Sequence, residues 1–234
     1  MTPATDQSPL CRALPPDDRA VLARYWRSRG DGEMGAELAF KQVHQDLMVL
    51  GAPQPLLALA ERAIADERKH GYWGRDLSLR FGGTDHSDPV ASRTRLLEFP
   101  GASAHANRVL RVAFCAFNET VGCHVLQEVR PRMTDPVLRQ NNQQHLADEV
   151  RHARVCWGFL STLGPSDRAL LASYRSILMR MVQISCCTGP EREEFDHLVP
   201  YGYFSPSVLE RAHHRAVVEV IEPGLRHLSI AEAA

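Results

Sequence analysis

Apolar residues recur along this chain at spacings of three and four, the period of one helix face, and nowhere alternate residue by residue as a half-buried strand requires. The pattern predicts an all-α protein. Asp17 or Asp18 caps a first helix through Val21, Leu22, Tyr25 and Trp26 that ends near Gly30. A second starts near Gly32, carries Leu38, Val43, Leu47 and Leu50, and stops at Gly51-Ala52-Pro53-Gln54-Pro55. A third runs over about 55–81 to Gly82-Gly83, and the segment 82–103 is the one long connection. Further helices follow over about 104–129, 136–163, 166–187 and 207–228. The turns between them hold Pro131 to Pro136, Gly164-Pro165-Ser166, and a loop with Gly189-Pro190 and Tyr201-Gly202-Tyr203-Phe204.

The polar positions inside these helices repeat. Asp66-Glu67-Arg68-Lys69-His70 is echoed by Asp148-Glu149-Val150-Arg151-His152, at an offset of 82 (148 − 66, 149 − 67, 152 − 70), and the same offset carries Glu37 to Glu119. Such an echo arises by chance on the order of 10⁻³ of the time at average residue frequencies, so it is treated as a structural repeat. The turns at 51–55 and 131–136 lie midway between Glu37 and Glu67 and between Glu119 and Glu149. Two antiparallel hairpins therefore return each pair of glutamates to one height. The i, i+3 spacing puts Glu67 with His70, and Glu149 with His152, on one helix face.

Two hairpins joined by a 22-residue crossover form a four-helix bundle of the ferritin-like kind, with an N-terminal helix before it and two extra helices after it. The expected organisation is a flexible lead-in over 1–16, then a single domain over 17–234, with the bundle at about 32–163 and the additional helices at about 166–228. Four carboxylates and two imidazoles converging inside such a bundle are costly unless compensated. Two divalent cations balance the four carboxylates, and this mix of ligands suits iron or manganese better than zinc. A Glu from each of two helices with Glu-x-x-His from each of two others is the ligand set of di-iron and di-manganese carboxylate proteins.

Composition narrows the classes. At 44% hydrophobic, 24% charged and a formal net charge of −1, the chain has the make-up of a globular protein, with no basic cluster for nucleic acid. Its six cysteines form no C-x-x-C pair and no framework spacing, so a reducing cytoplasm is expected. The polar, proline-rich start reads as neither signal nor anchor, and no run reads as long enough to cross a membrane.

The DEVRH stretch, with Arg before His, resembles the motif of O₂-activating ferritin-like di-iron proteins, including desaturases and ribonucleotide reductase small subunits. DERKHG is similar, with its Arg one place early. The resemblance covers about 32–163. His145 lies one turn before Glu149, whereas its repeat counterpart is Ala63. His-x-x-x-Glu-x-x-His, together with Glu-x₂₈-Asp-Glu-x-x-His written twice, is similar to the p-aminobenzoate N-oxygenase family. That resemblance implies Glu37, Glu67, His70, Glu119, His145, Glu149 and His152 as metal ligands, with Asp66 and Asp148 accepting hydrogen bonds from the far nitrogens of ligand histidines. A core histidine bonded to a helix carbonyl is the other reading of His145. The resemblance further implies two iron ions (manganese or a mixed Fe–Mn pair being the variants), O₂ or peroxide as oxidant, an external electron donor and N-oxygenation of a small amine. A homodimer is the expected assembly. C-hydroxylation or desaturation, and ferroxidase or peroxidase chemistry in iron handling, stay open beside it. Phe40, Phe114, Cys115, Phe117, Gly122 and Cys123 are the candidate substrate pocket, and equally candidates for plain core.

Overall fold

The computed structural model describes residues 14–91, 97–187 and 195–230. Most of the lead-in, the Gly189-Pro190 turn, Cys11 and the side chains of Cys186 and Cys187 lie outside the described residues. The described residues are helical, with no strand among them. The helices are α1 (Pro16–Val49), α2 (Gln54–Arg80), α3 (Ala104–Val129), α4 (Pro136–Leu160), α5 (Pro165–Cys187), α6 (Pro206–Ala216) and α7 (Glu222–His227). A short 3₁₀ segment, Asp196–Tyr201, precedes α6, and a π turn, Val217–Ile221, joins α6 to α7. Pro223 has no N–H for the carbonyl of Glu219, and the ladder shifts to the wider π register at that point.

The predicted break at Gly30 to Gly32 is absent. The two predicted N-terminal helices are one helix of 34 residues, and the reason is packing. Gly30 faces Gly71 and Gly74 of α2 so closely that a Cβ on Gly74 would stand 2.6 Å from the Gly30 backbone. Gly30 is thus a point where two helix backbones touch, and tertiary contact outweighs the roughly 1 kcal/mol that glycine costs within a helix. Asp31, read from sequence as part of the break, accepts the Val90 backbone N–H at 3.0 Å and ties the crossover to α1.

The hairpins α1–α2 and α3–α4 pack together chiefly through α2 against α4 and α1 against α3. Asp46 of α1, 1% exposed, links them by accepting from Arg111 of α3 at 2.7 and 2.9 Å. α5 and α6 cover the outer side of α3. That cover explains why α3 is apolar nearly all round, with Val109, Leu110, Val112, Ala113, Ala116 and Phe117 at 1% exposure or less. The helical run Ala104–Arg132 also corrects an expectation from sequence. It is long and apolar enough to cross a membrane, and 78% of its apolar window is buried inside the bundle.

Candidate metal centre

α2 and α4 bring the two halves of the repeat face to face. Glu67, Glu119, Glu149 and His152 offer ligand atoms within 4.8 Å of one another, and all four side chains are buried. His152 Nδ1 is the focus, with Glu67 Oε1 at 3.0 Å, Glu119 Oε2 at 3.6 Å and Glu149 Oε2 at 3.9 Å. Neither ring nitrogen of this buried imidazole has an aligned hydrogen-bond partner. Three carboxylates converging on one nitrogen without a proper hydrogen bond is a donor set arranged for a cation. This cluster could hold a metal ion.

Beside it lies a second group, Glu33, His70 and His145, whose ligand atoms also fall within 4.8 Å of one another. The two groups share a border. His70 Nδ1 is 3.3 Å from Glu67 Oε2 and 3.8 Å from Glu149 Oε1, and His145 Nε2 is 2.9 Å from Glu149 Oε1. Glu67 and Glu149 therefore stand between the groups.

Glu37 is the correction. It shares a helix face with Glu33, one turn on, but its carboxylate turns to Arg68 at 2.6 Å and Lys41 at 2.7 Å and joins neither group. Burial opposes its ionisation, yet those two cations hold its carboxyl below the usual range. Glu33, absent from the sequence expectation, stands at the place assigned to it. Two signals pointed there. His145 had no counterpart in the repeat and needed a companion. Glu37 is flanked by Arg68 and Lys41, where Glu119 has only Val150 and Cys123 at the matching positions.

The outer nitrogens of the histidines reach across the hairpins. His70 Nε2 donates to Asp148 Oδ2 at 3.1 Å, while His152 Nε2 faces Asp66 Oδ2 at 3.6 Å, beyond a hydrogen bond. Lys69 bridges the two aspartates at 3.1 and 2.6 Å, and Arg151 also contacts both. Burial disfavours the Asp148 carboxylate, but the donors His70 and Lys69 outweigh it and hold that carboxyl well below its ordinary value.

The charges inside act strongly on one another. Burial would lower the His70 imidazole, but Asp148 and Glu67 push it up to about 9. His152, buried as deeply, is pushed up to about 11 by the carboxylates of Glu119 and Glu67. Burial and the neighbouring Glu149 charge raise the Glu119 carboxyl well above the carboxylate range. A divalent cation would compete with protons for these same atoms.

The cavity at this site opens at the Glu33, His70 and His145 end. Trp26, Trp73 and Phe204 wall it, with Asn142 in the lining. Asn142 is 4% exposed, and neither its amide nitrogen nor its oxygen has a partner. Arg29 lies over the Phe204 ring at 4.2 Å and donates to Glu33 at 2.5 Å. None of Phe40, Phe114, Cys115, Phe117, Gly122 and Cys123 lines this cavity. Phe40 and Phe117, each 1% exposed, are core, and Cys115 and Cys123 are buried. The pocket falls on the opposite side because Glu33 and His145, not the Glu119 turn, carry the open end.

Fold and site together define an all-α bundle around a buried carboxylate–histidine cluster able to bind metal. Comparison with known protein families, with curated proteins and with solved structures finds no match to this chain.

Proposed function

We propose that this chain is a ferritin-like dinuclear metal enzyme that oxidises a small organic substrate, with N-oxygenation of an aromatic amine as the reaction. In this reading Glu33, His70 and His145 would hold one ion and Glu67, Glu119, Glu149 and His152 the other, with Glu67 and Glu149 at the border between them. Two iron ions bound there would supply O₂ or peroxide activation, redox chemistry that no side chain provides. The observation that carries the reading is the junction of a seven-donor cluster with an aromatic-walled cavity.

The protein's own part is positioning. Asp148 fixes the His70 tautomer by accepting a hydrogen bond from Nε2–H, leaving Nδ1 turned to the cluster. The His70 and His145 rings lie 3.8 Å apart between centres, and Trp73 packs tilted against His70 at 5.2 Å and edge-on to His145 at 6.4 Å. Trp26, Trp73 and Phe204 would give a flat substrate an aromatic wall, and the Asn142 amide would offer it a donor and an acceptor. The free volume is about 30 Å³, room for one or two waters, so a ring enters only as a wall gives. Phe204 sits between Asp196–Tyr201 and α6, outside any long helix, and is the wall best placed to do so. Electrons come from a separate donor.

The test is anaerobic Fe(II) loading, then peroxide with a panel of arylamines, reading hydroxylamine and nitro products by mass spectrometry. Product formation in the loaded protein alone supports the reading. Rapid iron oxidation with mineral build-up and no organic product contradicts it and favours iron handling.

A further inference from the structure

The repeat relates the two ends of the cluster, and they are unlike. At the offset of 82, Glu33 corresponds to Cys115 (115 − 33) and Gly74 to Cys156 (156 − 74). Where one end has a carboxylate beside a cavity, the other has two thiols. Cys115 is one turn from Glu119 on α3, and Cys156 one turn from His152 on α4. The helices run antiparallel and Glu119 faces His152 at 3.6 Å, so both thiols fall on one level. The Cys156 thiol lies close enough to act on Cys115, and Cys115 Sγ is 4.0 Å from Glu119 Oε1. Both cysteines are free and buried, at 7% and 0% exposure.

We propose that Cys115 and Cys156 are a redox pair that delivers two electrons to an oxidant at the adjacent metal centre and closes to a disulfide. The proposal rests on the metal reading given above. With hydrogen peroxide as oxidant the step balances: two S–H bonds break and one S–S bond forms, each sulfur giving up one electron. The two electrons and two protons reduce the peroxide to two waters. The environment restricts the route. Both thiols are buried, at 7% and 0% exposure, so oxidants in solution have little access to them. The cluster is the nearest place from which an oxidant can draw these electrons.

The experiment uses the full chain, loaded anaerobically with Fe(II), its iron counted, then given two equivalents of hydrogen peroxide per chain, one matching the two Fe(II) ions and one the two thiols. It is denatured in iodoacetamide and mapped by peptide mass spectrometry. The expected result is two fewer alkylated cysteines per chain and a linked peptide pair containing Cys115 and Cys156. Cys123→Ser keeps that pair, Cys156→Ser abolishes it, and chelated protein leaves both thiols alkylated. Iron-loaded protein that consumes peroxide with both thiols intact overturns the proposal, as does equally fast closure without iron. Failure to bind iron removes the metal reading itself, a separate result seen in the iron count.

Discussion

Glu33 and Glu37 sit one turn apart on the same face of α1, and their neighbours decide which of them meets the histidines. Two cations within 2.7 Å draw Glu37 outward, whereas Val150 and Cys123 give Glu119 no such pull. The repeat made Glu67, His70, Glu119, Glu149 and His152 legible as one constellation, because identical residues at a fixed offset on helices imply one height and one face. It pointed to Glu37 and passed over Glu33, because which of the two meets the histidines rests on competing ion pairs that a repeat does not encode. Asp148 acts through the ring it orients. Asp148→Asn is expected to weaken metal binding about 10- to 100-fold while the far-ultraviolet circular dichroism stays that of a folded helical protein. Titration of Fe(II) against a competing chelator checks this, and unchanged affinity would remove Asp148 from the account.

Among the elements, the stops at Gly51 and Gly82 follow the sequence punctuation, since there the backbone leaves helical geometry. Gly51 has φ of 72° and Gly82 of 94°, the left-handed region where glycine carries no steric cost. Gly30 looked like the same signal and is not: it stays helical so that α1 can lie against α2. Sequence alone does not separate a glycine that ends a helix from one that admits a neighbour. The close approach also sets the level of Glu33 against His70. Gly74→Ala would drive a methyl to 2.6 Å from the Gly30 backbone, and a loss of about 1–3 kcal/mol is expected. Gly71→Ala meets the flexible Met34 sulfur instead and is expected to cost less. Urea unfolding of both variants tests the order, and the reverse order would contradict this packing argument.

At the scale of the whole molecule, the cluster exists only because two hairpins meet, and a buried ion pair marks their junction. Arg111→Ala leaves Asp46 without its two-pronged partner, with only Gln42 at 2.9 Å and Arg108 at 3.9 Å remaining. A loss of about 3 kcal/mol is expected, measured by denaturant unfolding, and a loss under about 1 kcal/mol would show that the junction does not depend on this pair. The all-α class was legible from periodicity. The purpose of α5 and α6 was not, because their role is to cover α3, a relation between distant segments with no local signature. The cavity was misplaced for the same reason: Phe204 reaches it from far along the chain.

The most direct measurement is the number of Fe(II) ions bound per chain, by anaerobic equilibrium dialysis, in the wild type, Glu33→Ala and Glu37→Ala. The account predicts two ions for the wild type, two for Glu37→Ala, and loss of one with Glu33→Ala, whose ion would keep only His70 and His145 beside the shared Glu67 and Glu149. Two ions retained by Glu33→Ala with one lost by Glu37→Ala would contradict the assignment of Glu33. No specific binding to the wild type would contradict the metal centre altogether.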